Sequence, residues 1–319
     1  MTAEEDVARR EAADAFLAAA GWRGAARAPL AGDASNRRYE RVASVAGDRR
    51  AVLMDAPSAR GEDIRPFLAV TAHLRVLGLS APEVYAADPA AGFALIEDLG
   101  DDLFARVAAA DPSREEELYA AAVDLLARLR AAPPPVRAGD AAAEAEIAPY
   151  DAAVLIREAR LAVDWWAEAA APGGAGEAGA ELDALIEAAT AEPARDRSAV
   201  VLRDYHAENL IWLPEREGDA RVGLLDYQDA LAGSPAYDLV SLLEDARRDT
   251  SEALRDAMVA RALAASGDDA AVFRAAYAAL GAQRNLKIVG IFARLWLRDG
   301  KPAYLDLIPR VWGHLRRDL

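Results

Sequence analysis

Asp204 and Asn209, separated by four residues, lie in the segment VLRDYHAENLIW, which begins and ends with apolar residues. A further carboxylate, Asp226, follows in the segment LLDYQD. Phosphoryl transfer to a hydroxyl needs such groups: a carboxylate for the hydroxyl proton, and an amide oxygen with a second carboxylate for magnesium. Taken alone, Asp204 and Asn209 are equally typical of a turn whose side chains bind the backbone. The downstream acids Asp226 and Asp238 favour the catalytic interpretation.

Short strands are predicted on both sides of these polar residues. Apolar and β-branched runs at 199–202, 211–213 and 221–226 are bounded by polar residues and fit short strands. Strands at these places would hold the loop between them in a fixed shape. The sequence therefore predicts a rigid loop that carries Asp204 and Asn209.

The rest of the chain divides by composition near Gly100. Before it, the pattern predicts helices at 4–20 and 63–77 and strands at 37–43, 50–56 and 93–99. After it, long Ala- and Leu-rich stretches with helical periodicity predominate. We therefore predict an α+β fold with two domains, a small β-rich N-lobe (1–99) and a large helical C-lobe (100–319).

Composition excludes several classes of site and partner. The chain has no cysteine, which excludes disulfides and thiolate metal sites. Its three histidines are too scattered in sequence to suggest a zinc site. Its net charge of -16 disfavours binding to nucleic acid. No apolar stretch is long enough for a bilayer, and the N-terminus lacks the basic and apolar regions of a signal peptide. We expect a cytoplasmic, monomeric protein with neither nucleic acid nor membrane as a partner.

The motifs LRDYHAENL, LLDYQD and SPAYDLVSLL resemble those of the aminoglycoside phosphotransferase family, and the order of lobes agrees over nearly the whole chain. The resemblance implies a bilobal protein-kinase-like fold and a small-molecule kinase that uses ATP and Mg2+. It implies Asp204 as the catalytic base and Asn209 and Asp226 as the metal ligands. It also implies that Asp238 supports the catalytic loop.

The nucleotide-binding residues are less well marked, because Met54 stands where the family has a phosphate-binding lysine. The segment LAGDASNRRYERV lies where the family has its nucleotide loop, with Arg37 or Arg38 to supply positive charge. The resemblance places the adenine beside the segment IEDLG. The predicted nucleotide-binding residues are Gly32, Ser35, Asn36, Arg38, Glu97 and Leu99.

The segment RDYHAENLIWLP is similar to the corresponding segment of family members that phosphorylate the anomeric hydroxyl of N-acetylmuramate or N-acetylglucosamine. The resemblance thus implies an α-1-phosphate product and a role in peptidoglycan recycling. Asp229, Arg284 and Asn285 are candidate substrate-binding residues, although the last two equally fit a solvated helix face. Aminoglycosides, choline, homoserine and fructosamine are alternative substrates. A pseudokinase that serves as an interaction module is the alternative from another class.

Overall fold

The structure is a computed structural model that describes residues 3–30, 36–139, 143–170, 173 and 175–319. The chain forms two units. The first comprises Met1–Asp101, Arg137–Glu146 and Gly223–Gln228, and the second comprises Asp102–Val136, Ile147–Val222 and Asp229–Leu319.

The first unit is built on a five-stranded antiparallel sheet with the strand order β1-β2-β3-β5-β4. The strands are β1 (Ala26–Pro29), β2 (Arg38–Ala43), β3 (Arg50–Asp55), β4 (Val84–Asp88) and β5 (Phe93–Ile96). Helix α1 (Ala3–Ala19) precedes the sheet, and α2 (Arg65–Val76) connects β3 to β4. These elements agree with the predicted helices and strands, whereas β1 and β4 were not predicted.

Alternation along the strands directs one set of side chains toward α1. Ala51 and Leu53 of β3 pack with Leu17 of α1 and with Phe93 and Leu95 of β5 in one buried cluster. Successive residues of a strand point to opposite faces, so this alternation places α1 on a single face of the sheet. Hydrophobic burial on that face therefore fixes the position of the central strands.

Two later segments of the chain complete the first unit. Strands β6 (Arg137–Ala138) and β7 (Ala145–Glu146) pair with each other and contact α2. The Tyr227 ring stacks on Phe67 of α2 at 5.4 Å between centroids, and its hydroxyl lies 2.8 Å from Thr71 Oγ1. The backbone N–H of Leu224 donates to Ser80 O at 3.0 Å. The segment that contains Asp226 is thus anchored on both sides of that residue.

The second unit is mainly helical. Its helices are α3 (Phe104–Ala110), α4 (Glu115–Arg130), α5 (Ala152–Ala159), α6 (Glu168–Ala170), α7 (Ala175–Ala189), α8 (Ala236–Leu243), α9 (Glu252–Ser266), α10 (Ala270–Leu297) and α11 (Ile308–Asp318). Its short strands are β8 (Ala199–Val201), β9 (Leu210–Trp212) and β11 (Leu231–Gly233). Strand β10 (Val222–Leu224) begins at Val222, where the chain passes from the second unit to the first. Strands β8 and β11 pair antiparallel.

The helix ends of the second unit follow local capping chemistry. The Asp151 carboxylate accepts the backbone N–H of Val154 at the start of α5, and Asp269 accepts two N–H groups at the start of α10. Such caps satisfy N–H groups that have no partner within the helix. At the end of α9, Gly267 adopts the left-handed conformation that commonly ends a helix.

Helix α10 makes a close contact with the turn after α5. A Cβ atom at Gly290 would lie 2.2 Å from the carbonyl carbon of Leu161, so only glycine fits at this distance. Leu161 precedes a π-helical stretch, Ala162–Ala167, which was not predicted. The backbone of α10 is thus in direct contact with the backbone of the turn after α5. Among the described residues, no helix has the length and apolar character needed to cross a membrane.

Candidate active site

The loop between β8 and β9 carries Asp204 and is held in place by Asp238. The Asp238 carboxylate accepts the backbone N–H of Leu202 at 2.6 Å and that of Arg203 at 2.9 Å. Asp238 lies on α8 and is only 2% exposed. These bonds support an unusual backbone conformation, because Arg203 has a φ of 72°. A non-glycine residue pays for such a conformation in energy, which the surrounding structure must offset.

Asn209 is oriented by the same loop. Its side-chain Nδ2 donates to the carbonyl oxygen of Asp204 at 2.9 Å, and its backbone N–H donates to His206 O at 2.8 Å. Because the amide nitrogen is used inside the loop, the amide oxygen Oδ1 is the atom that remains to bind a ligand. An amide oxygen of this kind suits magnesium.

The charges around Asp204 keep it ionised. Burial acts to raise the pKa of Asp204, but the positive charges of Lys287 and Arg203 outweigh it and lower the pKa. Asp204 is therefore a carboxylate near neutral pH. Burial raises the pKa of Asp238 to about 7, although its two backbone hydrogen bonds oppose this shift. Burial lowers the pKa of His206 to about 4, so this imidazole is neutral.

A buried ionic cluster below the loop connects three elements of the second unit. The carboxylate of Glu158 on α5 forms an ion pair with Arg203, accepts the hydroxyl of Tyr150 and lies 3.2 Å from Lys287 Nζ. Burial raises the pKa of Glu158, but Lys287 and Arg203 outweigh it and lower the pKa. Glu158 thus fixes both the residue before Asp204 and the cation that acts on Asp204. The sequence analysis did not identify Glu158.

Asp226, the acidic residue predicted downstream of the loop, has a backbone conformation that favours glycine. Its φ is 56°, and among the described residues it shares a positive φ only with Arg203 and glycines. The side chain is 46% exposed, and Oδ1 accepts a hydrogen bond from Gln228 Nε2 at 2.9 Å. Both non-glycine residues with left-handed backbone therefore lie in the segments that carry the predicted chemistry.

The structure separates the roles of the two adjacent arginines, Arg37 and Arg38. The Arg37 guanidinium donates to Glu62 at 2.8 Å and lies 3.9 Å from the Asp226 carboxylate. The Arg38 guanidinium instead forms an ion pair with Asp6 at 3.1 Å. Arg37 therefore lies beside Asp226, whereas Arg38, the predicted nucleotide-binding residue, lies beside Asp6.

The remaining predicted nucleotide-binding residues have varied surroundings. Gly32 and Ser35 lie outside the described residues. The backbone N–H of Asn36 donates to Glu62 at 3.2 Å, and its side chain donates to Arg60 O. Glu97 makes a backbone bond to Glu83 at 2.8 Å, and Leu99 is buried. Met54 is 1% exposed, so strand β3 presents no cation at that position.

The three predicted substrate-binding residues differ in exposure and in hydrogen-bond partners. Asp229 is exposed, and its carbonyl oxygen accepts Arg203 Nη1 at 3.3 Å. Arg284 is 5% exposed and donates to the carbonyl oxygen of Glu244 at 3.5 Å. Asn285 has no exposed surface, and its Nδ2 donates to the Glu244 carboxylate at 2.7 Å and to Asp318 at 2.9 Å. The NH2 group of Asn285 is thus occupied within the protein.

Each unit offers one predicted oxygen donor for a divalent cation, Asp226 in the first unit and Asn209 in the second. Among the described residues, no group of three or more His, Cys, Asp or Glu side chains could hold a metal ion by itself. Magnesium typically takes one or two protein oxygens together with substrate phosphates and water. The amide oxygen of Asn209 and the carboxylate of Asp226 are oxygen donors of this kind.

Comparison with known proteins identifies the family. A model of the phosphotransferase enzyme family matches residues 27–277. The chain belongs to this family. The phosphotransferase is 42% identical to the N-acetylmuramate/N-acetylglucosamine kinase of Caulobacter vibrioides, over 96% of this chain and 91% of the relative. It is 35% identical to the kinase of the same name from Pseudomonas aeruginosa, over 90% of this chain and 82% of the relative.

The fold of this phosphotransferase is similar to that of a solved family member. The ADP-bound aminoglycoside phosphotransferase APH(2'')-Ib superposes with a TM-score of 0.62 at 11% identity, covering 100% of this chain and 99% of that chain. This similarity, together with the N-terminal antiparallel sheet and the helical remainder, confirms the predicted α+β protein-kinase-like fold class. The predicted family is confirmed as well.

Proposed function

We propose that this phosphotransferase transfers the γ-phosphoryl group of ATP to the anomeric hydroxyl of N-acetylmuramate or N-acetylglucosamine. The names of the two relatives support this choice of acceptor. The observation that carries the proposal is the loop at 202–209, where Asp238 holds a left-handed residue directly before an ionised Asp204. The product would be an α-1-phosphate that serves peptidoglycan recycling.

Asp204 is the proposed catalytic base. Its carboxylate orients the acceptor hydroxyl and accepts its proton as the phosphoryl group is transferred. The low pKa of Asp204 suits orientation more than strong proton abstraction, in keeping with a reaction in which positioning and charge dominate. Asp238 supports this role by fixing the loop.

Asn209 and Asp226 are the proposed magnesium ligands. When bound, magnesium neutralises charge on the phosphate groups. Asn209 contributes its amide oxygen. Because Nδ2 donates to Asp204 O, this oxygen is the atom that remains to bind the metal. Asp226 contributes a carboxylate whose Oδ1 is oriented by Gln228.

Arg37 is the proposed cation for the nucleotide phosphates, in place of the lysine that Met54 replaces. Its guanidinium is held by Glu62 and lies beside the proposed metal ligand Asp226. Guanidinium groups bind phosphate through paired hydrogen bonds. Asn36 and the backbone at 97–99 remain proposed contacts of the nucleotide, and the N-lobe (1–99) remains its proposed binding domain.

The test measures ADP release with magnesium-ATP and purified protein against a panel of acceptors: N-acetylmuramate, N-acetylglucosamine, kanamycin, choline and homoserine. The expected result is turnover confined to the two N-acetyl sugars. Asp204→Asn is the control, and it should lower kcat by on the order of a thousandfold, as expected for a lost acid-base group. Turnover of kanamycin or choline alone would overturn the proposed acceptor. ATP binding without any turnover would favour the pseudokinase.

A further inference from the structure

Arg284 on α10 is a buried cation that forms no ion pair with a carboxylate among the described residues. It is 5% exposed, and Nη1 makes a hydrogen bond of 3.5 Å to the backbone carbonyl of Glu244, at the long end of such bonds. Within the part of the chain that the structure describes, its guanidinium forms no ion pair with a carboxylate. The neighbouring acids are used elsewhere, since the Glu244 carboxylate accepts Asn285.

Burial of an unpaired guanidinium is costly. The group has five N–H donors, and a charge removed from water without a partner loses far more free energy than a neutral group does. Protein interiors therefore pair such groups with carboxylates or reserve them for anionic ligands. Among the described residues Arg284 has no ion-paired carboxylate, so its guanidinium is available to an anionic ligand.

The position of Arg284 indicates which ligand it could meet. It lies three residues before Lys287, so both side chains lie on one face of α10. Lys287 Nζ is 3.2 Å from Glu158, which pairs with the residue preceding Asp204. Arg284 Nη1 donates to the carbonyl oxygen of Glu244, the residue after α8, and Asp238 on α8 holds the two residues before Asp204. Arg284 thus lies on the side of the proposed base, where the acceptor hydroxyl must be.

The two proposed acceptors differ in one charged group. N-acetylmuramate is N-acetylglucosamine with a lactyl ether at O3, and this ether ends in a carboxylate. A guanidinium matches a carboxylate in shape and charge and binds it through two parallel hydrogen bonds. We propose that Arg284 binds the lactyl carboxylate of N-acetylmuramate and so determines the preference between the two sugars. This inference rests on the proposed function.

The experiment measures kcat/KM for both sugars in the parent protein and in Arg284→Met. Any effect of the substitution that is common to both sugars cancels in the ratio of the two values. The ratio of N-acetylmuramate to N-acetylglucosamine should fall by about 10- to 100-fold, as expected for loss of a charged hydrogen bond. Arg274→Met is the matched control, because Arg274 is an exposed arginine on the same helix, and its ratio should not change.

A second measurement removes the charge from the ligand instead of the protein. The methyl ester of N-acetylmuramate should be a poorer substrate of the parent protein by the same factor, and Arg284→Met should not reduce its use relative to N-acetylglucosamine. The ester tests the inference even if the variant does not fold. An unchanged sugar ratio in Arg284→Met, or equal use of acid and ester by the parent, overturns it. Absence of turnover of both sugars by the parent would instead refute the proposed function.

Discussion

Replacement of Asp238 by asparagine tests how the catalytic loop is held. The carboxylate accepts two backbone N–H groups, at 2.6 Å and 2.9 Å, in a fully buried position. Asparagine has one acceptor oxygen, so its NH2 group must face one of these N–H donors. A hydrogen bond to a charged group contributes about 1.5–3 kcal/mol. If this energy holds the loop in its active form, kcat falls by roughly 10- to 100-fold.

The assay is steady-state ADP release at about pH 8, above the pKa of Asp238, which burial raises to about 7. Asp245→Asn is the matched control, because this buried acid accepts one N–H through Oδ1 at 2.8 Å, while Oδ2 has no hydrogen-bond partner among the described residues. An unchanged kcat in Asp238→Asn would refute the role of this carboxylate in positioning the loop. Equal losses in both variants would show a general effect of removing a buried charge.

Three further changes probe the rest of the site. Arg37→Met should weaken ATP binding by about 10- to 100-fold in calorimetry, whereas Arg38→Met should change it by less than about twofold, and equal effects would contradict the assignment. Glu158→Gln should lower the free energy of unfolding by about 3 kcal/mol in chemical denaturation, because two buried cations lose their anion; unchanged stability would refute this. Burial lowers the pKa of His206 to about 4, so its contribution to stability is present above pH 6.5 and lost as pH falls. His206→Asn should therefore lose less stability on acidification than the parent, and parallel pH curves would show that His206 contributes nothing.

Much of the fold could be predicted from local patterns. The helix expected at 63–77 is α2 (Arg65–Val76), and the strand expected at 50–56 is β3 (Arg50–Asp55), because period and flanking polar residues define such elements locally. The π-helical stretch Ala162–Ala167 was missed; it follows Leu161, whose carbonyl group lies in close contact with Gly290 of α10. Sequence periodicity contains no information about that contact.

The site shows the same division between local and distant information. The spacing of Asp204 and Asn209 is local, and the hydrogen bond between them is visible as a short-range pattern. The pairing of Glu158 with Arg203 joins residues 45 positions apart, which composition alone cannot reveal. The surroundings of Asn285 likewise depend on Asp318, 33 positions later. Helical periodicity indicated a polar cluster on α10 but not what each side chain faces.

The close approach at Gly290 restricts how this sequence can change over evolutionary time. A Cβ atom there would lie 2.4 Å from the carbonyl oxygen of Leu161, so any other residue requires one of the two segments to move first. Such a displacement would also shift Lys287, three residues earlier on the same helix, relative to Glu158. Descendant sequences that keep the Glu158–Lys287 pair should therefore keep glycine at 290. Loss of that glycine should accompany replacement of the pair.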